Sequence, residues 1–391
     1  MTTLLTLLAF LASEQSGTEV ERILAGLGDN SSCLLPAAKV EGEFGPILKE
    51  FGLDKNGPQG RDFSIKMAWM SDRKRAFYCG ANHGSPHRMN DAWEYDLPSN
   101  TWSLLYDPDY NDAGDRMNRL AQAGVTLKDG VLVTARGGPV HVAHTWWGLT
   151  YDPELQAALW MCVWPGYGMK EKLEHVQSDA SQLYKGPPLW AFFPAEKKWQ
   201  PILSQPPFLQ RVGLAGTLQY IPDLRGSLWY HRDNGTWLFD SNAGEWKDLK
   251  PTVQKGSQPL MIENVMCYDS KNKVLVAHRE DKDGFKKTYH YDVAANAWTR
   301  TVESADGPAG HDASTQFYHD SVGEVCLLFE NGSKKLWAYS VTGKKWTQLA
   351  PQGAPPPDWK RLIGYFDPAR NVYVVLSQRN VWVYRYRRAA R

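Results

Sequence analysis

Four of the ten histidines stand in two short segments rich in polar and aromatic groups. The first reads Ala81-Asn82-His83-Gly84-Ser85-Pro86-His87-Arg88. The second runs Arg136-Gly137-Gly138-Pro139-Val140-His141-Val142-Ala143-His144-Thr145-Trp146-Trp147. Histidine exchanges a proton near neutral pH, and arginine grips a carboxylate or sulfate with two parallel hydrogen bonds. An indole can stack on a sugar ring. Such parts could abstract a proton beside a sugar carboxylate while that carboxylate is neutralised. In that reading His83, His144 and Tyr184 are the catalytic candidates. His87, Arg88, Arg136, His141, Trp146, Tyr167, Arg211 and His311 are the ligand contacts. His83, His87, His141 and His144 could instead hold a divalent metal, although no HExxH or comparable motif sharpens that reading. No other cofactor is evident. Each residue also has a plainer alternative: His83 and His87 can bond their own loop backbone, His144 can bond a neighbouring strand, and one of Trp146 and Trp147 should be core.

Something must bring these segments together, and a spacing says what. Trp93 is followed by Trp102, Trp190 by Trp199, Trp237 by Trp246 and Trp337 by Trp346, nine positions apart each time, and Tyr289 with Trp298 keeps the interval. An aromatic at i and i+2, a polar turn, then a Trp reads as two antiparallel strands joined by a hairpin. Upstream of each pair an aromatic-Asp turn divides two apolar strands: Tyr151-Asp152, Tyr268-Asp269, Tyr318 to Asp320, Phe366-Asp367, and more loosely Met70 to Asp72 and Tyr220 to Asp223. Four strands recurring from Trp190 to Trp237, Tyr289, Trp337 and Trp382, about 48 residues apart, are the signature of propeller blades.

The stretches Phe77-Tyr78-Cys79-Gly80, Asn90-Asp91-Ala92-Trp93-Glu94-Tyr95-Asp96 and Asn100-Thr101-Trp102 resemble the Kelch repeat, and the resemblance runs from about residue 63 to 391. It departs from the pattern at the double glycine after the second strand, which is reduced to Cys79-Gly80-Ala81 here and absent from later repeats. A diverged bacterial-type branch related to the galactose oxidase propeller fits best. The resemblance implies an all-β, Kelch-type β-propeller of six blades, with seven as the alternative. The copper-radical chemistry of galactose oxidase is not implied: the adjacent pairs Tyr230-His231, Tyr289-His290 and Tyr318-His319 have no convincing Cys–Tyr companion. Kelch-type propellers include both binding modules and enzymes such as polysaccharide lyases and a sialic-acid epimerase. The site therefore reads as a surface for a carbohydrate or protein ligand, or alternatively as a lyase or epimerase of acidic sugars with a His or Tyr base.

Trp382 has no second Trp after it, so the sixth blade must borrow its outer strand, and residues 38–52 are the favoured donor. Val20, Ile23, Leu24 and Leu27 keep helical spacing, so a short helix should precede that donor within an N-terminal cap of residues 14–62. Trp102 to Asp152 takes 50 residues and Asp152 to Trp190 takes 38, both longer than in other repeats. Two insertions, near 107–143 and 164–188, should thus crowd one sector of one face. Gly124–Ala135 within the first reads as a hairpin around Lys128-Asp129-Gly130, the one hint of a seventh blade.

Leu4–Ala12 resembles the apolar core of a secretory signal, without a basic start or a clean cleavage site. This makes residues 1–13 a possible export signal and the chain secreted or periplasmic, otherwise cytoplasmic. No segment is expected to span a membrane. Lys plus Arg total 44 against 43 for Asp plus Glu, with no basic stripe beyond the Arg385–Arg388 tail, which reads as a solvated terminus. That balance argues against a nucleic-acid partner. The five cysteines are scattered and give no disulfide framework. The expected state is a monomer.

Overall fold

Each nine-residue spacing is a hairpin whose strands meet ring to ring. In a computed structural model the aromatic two places after the first lies directly opposite the Trp: Tyr95 faces Trp102, Phe192 faces Trp199, Phe239 faces Trp246, Tyr291 faces Trp298 and Tyr339 faces Trp346. Their ring centres lie between 4.9 and 5.4 Å apart, close contacts for cross-strand aromatic pairs. The structure describes residues 18–61, 64–81, 88–111, 121–140, 146–161, 176, 189–204, 216–233, 235–259, 264–310 and 315–389.

These five hairpins are the outer halves of five of the six sheets arranged as a β-propeller. The innermost strands, here called a, are Ala68–Met70, Leu149–Asp152, Thr217–Ile221, Val265–Asp269, Gln316–Asp320 and Ile363–Asp367. They sit next to one another around the axis, and strands b, c and d follow outward. Six blades account for the repeats. The hairpin of Thr126–Lys128 with Val131–Val133 is a separate two-stranded sheet and not a seventh blade. Helices are few: Glu19–Gly26, Pro46–Glu50 and Leu53–Asn56 are the α-helices among the described residues.

The aromatic-Asp turns work through the carboxylate. Asp152 accepts from the backbone N–H groups of Glu154 and Leu155, Asp269 from those of Lys271 and Asn272, and Asp320 from those of Val322 and Gly323. Each thus supplies an Asx turn that reverses the chain between strands a and b.

The strand that closes blade 6 is Ser31–Leu34, earlier than the favoured 38–52 stretch. It pairs antiparallel with Asn380–Arg385, whereas Lys39–Glu41 pairs parallel with the outer strand of blade 1. The Arg385–Arg388 tail is solvated only in part: Arg387 and Arg388 are exposed, but Arg385 is not. Arg385 is buried, and its guanidinium donates to the carbonyls of Leu24 and Leu27 at 2.7 and 2.6 Å. Those carbonyls close the end of the Glu19–Gly26 helix, whose last turn has no basic residue of its own. The first described helix and the last strand are thereby clamped together.

Fifth strands appear on blades 1, 4 and 6, and one asparagine explains each. Asn100, Asn296 and Asn30 occupy the left-handed turn before strand d, with φ of 51°, 47° and 46°. Each carboxamide oxygen accepts from a strand c tyrosine hydroxyl (Tyr95, Tyr291, Tyr384), and each amide donates to a carbonyl of the passing connection (Pro36, Leu249, Ala350). The backbone carbonyl of the same Asn accepts the first hydrogen bond of the added strand, from Lys39, Thr252 or Gln352. Blades 2, 3 and 5 have Lys197, Gly244 and Lys344 at this turn and carry no fifth strand among the described residues.

The seam between blades 4 and 5 shows how polar groups are satisfied in the core. Trp346 Nε1 donates to Thr288 Oγ1 at 2.8 Å, Thr288 lies 2.9 Å from His278 Nδ1, and His278 Nε2 is 2.7 Å from the Pro308 carbonyl. This chain fits a neutral imidazole that donates from Nε2. Burial pulls the pKa of His278 from 6.5 down to about 4.

Two outcomes follow from this packing. Asn296→Ala strands the Leu249 carbonyl and the Tyr291 hydroxyl, and should cost about 1–3 kcal/mol in urea unfolding. His278 resists protonation in the folded state but not in the unfolded one, so below pH 6.5 the unfolded chain binds more protons. Its contribution is complete above pH 6.5 and is lost as pH falls toward 4. His278→Gln, which keeps one donor and one acceptor, should flatten that part of the stability–pH curve.

Candidate functional site

The up-and-down order of the blades sends the b–c and d–a connections to one face and the a–b and c–d hairpins to the other. His83, His87, His141, His144, Tyr167, Tyr184, Arg211 and His311 all lie outside the described residues. Three candidates are described. Arg88 is buried, and its backbone N–H donates to Asn111 Oδ1 at 3.2 Å. Trp146 and Trp147 are both core residues at 1% and 0% exposure, so neither ring offers an open face. Trp147 donates its indole N–H to the Met266 carbonyl across the axis at 2.6 Å. Arg136 is half-exposed and lies over the Tyr106 ring, 3.9 Å from its centre.

A carboxylate that no sequence pattern singled out organises this region. Asp109 Oδ2 accepts from Asn90 Nδ2 at 2.8 Å, the Tyr106 hydroxyl at 2.7 Å and Thr134 Oγ1 at 2.6 Å, while Oδ1 lies 3.2 Å from Arg136. Its own N–H donates to Asn90 Oδ1 at 3.0 Å. Asp109 therefore ties blade 1, through Asn90 and Tyr106, to the returning arm of the first long connection, through Thr134 and Arg136. Burial, with Asp109 alongside, pushes the Tyr106 phenol above its ordinary range and keeps it a donor. Gly138 passes close enough that an added Cβ would stand 2.6 Å from Asn90 Nδ2 and from Asp109 Oδ2. Only a residue without a side chain fits there.

A second buried pair pins the chain entering blade 1. Arg61 is bidentate to Asp91, at 2.6 and 2.5 Å, and Trp93 Nε1 donates to the same carboxylate at 2.7 Å. Asp91 holds the Arg61 guanidinium charged against the cost of burial. Gly80, the survivor of the expected glycine pair, lets this segment approach: a Cβ there would meet Ser64 Cβ at 2.4 Å.

On the axis, at the a–b hairpin end, is a cavity of about 510 Å³. The residue before the last position of each inner strand forms its collar: Trp69, Tyr151, Tyr220, Tyr268, His319 and Phe366. Deeper in, Lys66 lines it and is buried. The sequence signal was present, a single lysine within the otherwise apolar Ile65–Met70, but lysines of that kind are usually read as surface residues.

Among the described residues no group of three His, Cys, Asp or Glu side chains is placed to hold a metal, and no helix is long and apolar enough to cross a membrane. Neither a protein-family model nor a curated protein matches this sequence. Among solved structures, an auxiliary nutrient binding protein from Bacteroides thetaiotaomicron VPI-5482 superposes with a TM-score of 0.50 at 7% identity, over 90% of this chain and 76% of that one. A chain of a nidogen/laminin complex gives 0.41 at 9% identity, over 74% of this chain and 87% of that one. The first is a likeness of fold, and the second is too distant to add to it.

Asp109→Ala removes the acceptor of three side-chain donors at once. It should lower stability by about 3 kcal/mol. In hydrogen exchange, protection should fall at 131–138 and around Asn90 while blades 4 and 5 stay unchanged.

Proposed function

We propose that this chain is an exported, Kelch-type propeller that holds a carbohydrate or protein ligand on the face carrying the two insertions. The observation that carries this reading is the Asp109 hub. It joins the outer strand of blade 1 to the returning arm of the long 107–143 connection, and it leaves the Arg136 guanidinium stacked on Tyr106 and half open to solvent. A long connection rooted by buried hydrogen bonds on a closed ring is a preorganised surface, and preorganisation lowers the entropy lost on binding. The likeness in fold to a protein described as an auxiliary nutrient binding protein agrees with a ligand-holding role.

The burial of Arg88 and Trp146 removes both from the expected ligand contacts, in the binding reading and in the lyase or epimerase alternative alike. Export rests on the Leu4–Ala12 run, and a mature N-terminus beyond residue 13, read by mass spectrometry of the secreted protein, would support it.

Incubation with a panel of uronic-acid polysaccharides tests both readings. Retention on at least one immobilised member, without ultraviolet absorbance from an unsaturated product, is the expected result. Arg136→Ala should weaken that retention several-fold in a variant that still folds. Product formation that disappears in a folded His144→Ala variant would replace binding with catalysis.

A further inference from the structure

The axial cavity lies at the opposite end of the ring from the insertions, and its composition is one-sided. Its mouth is rimmed by exposed hairpin residues such as Ser71, Ser270 and Ser321, and its collar is six rings. Among the described residues no aspartate or glutamate lines it. The nearby carboxylates are engaged to the side: Glu154 accepts from Tyr220 and Arg225, Asp223 accepts from Tyr268 and pairs with Lys273, and Asp269 caps its own turn. The basic groups that line the cavity are His319 at the collar, 3.3 Å from Asp269, and Lys66.

Lys66 is a buried amine with no counter-charge among the described residues. Its Nζ donates to the Leu218 carbonyl at 2.9 Å and to Gln219 Oε1 at 3.1 Å, both neutral acceptors, and lies 5.6 Å from the Trp147 ring centre. An ammonium has three donors, so one remains for a ligand. Buried lysines are normally paired, because an unpaired charge out of water is expensive. Burial accordingly draws the pKa of Lys66 down to about 7. The other titratable groups that share its part of the cavity are Cys267 and Tyr318, both held in their neutral forms by burial.

We propose that the axial cavity is a binding site for a small aromatic carboxylate, its ring inside the aromatic collar and its carboxylate on Lys66. The volume of about 510 Å³ is within the usual range for small-molecule pockets, roughly 300–1,000 Å³. A carboxylate beside the amine favours the ammonium, so binding at pH 7 takes up protons from solvent. This site is independent of the insert-bearing face, and either can fail without the other.

The test titrates the full chain with benzoate and indole-3-carboxylate, and with their neutral amides, following tryptophan fluorescence and calorimetry. At least one acid should bind at least tenfold more tightly than its amide. Its apparent heat should differ between phosphate and Tris buffers by the heat of the protons taken up. Lys66→Met should bring the acid down to the amide's affinity while leaving the amide unchanged, and Ser270→Trp at the mouth should weaken both. Equal affinities for acid and amide, no binding by either acid at millimolar concentration, or an unchanged acid affinity in Lys66→Met would overturn the proposal. If Lys66→Met does not fold, the wild-type buffer dependence decides: binding without proton uptake overturns it.

Discussion

The ring depends on one interaction repeated at four of its six seams, the indole of strand d reaching into the blade before. Trp102 donates to the Gln378 carbonyl of blade 6, Trp199 to the Asn90 carbonyl of blade 1, Trp298 to Thr236 of blade 3, and Trp346 to Thr288 of blade 4. Each indole combines a large apolar face, packed on its cross-strand partner, with a single N–H that must find an acceptor when buried. The apolar face holds a blade together and the N–H fixes its position against its neighbour. A phenylalanine could do the first but not the second. Seventeen tryptophans in 391 residues are thus chiefly an architectural load.

Blade 6 shows what happens where the repeat is interrupted. Its outer strand comes from the other end of the chain and carries Ser32 where the other blades have the Trp. The lost indole is replaced by polar ties: Ser32 Oγ donates to Ala354, Trp382 Nε1 reaches the same carbonyl, and Arg385 and Arg388 bind the end of the first helix. Closure by hydrogen bonds between distant parts of the sequence costs loop entropy that a local hairpin does not. This accounts for the number of separate bonds that fasten Asn30 and Asp29 to the far terminus.

With the wall so stitched, the two ends of the ring acquire different chemistry. The insert-bearing end is anchored by buried carboxylates, Asp109 and Asp91, each with an arginine beside it. The hairpin end encloses rings and one amine, with its acids turned sideways to neighbouring blades.

Strand order, blade count and the c–d hairpins were legible in the sequence because they are set locally: alternation, a turn and a fixed interval between aromatics act within a dozen residues. The aromatic-Asp turns were legible for the same reason. What the sequence could not place were contacts between residues far apart along it. Nothing in Ser31–Leu34 marks it as the closing strand, since its partner lies some 350 residues away. Asp109 had no motif because its donors come from residues 90, 106 and 134. Lys66 gained its character only when six inner strands enclosed it, since burial without a counter-charge is a property of the surroundings and not of the residue. Local sterics and the hydrophobic period decided the blade, and the tertiary ring decided which polar groups lost their water and what they met in its place.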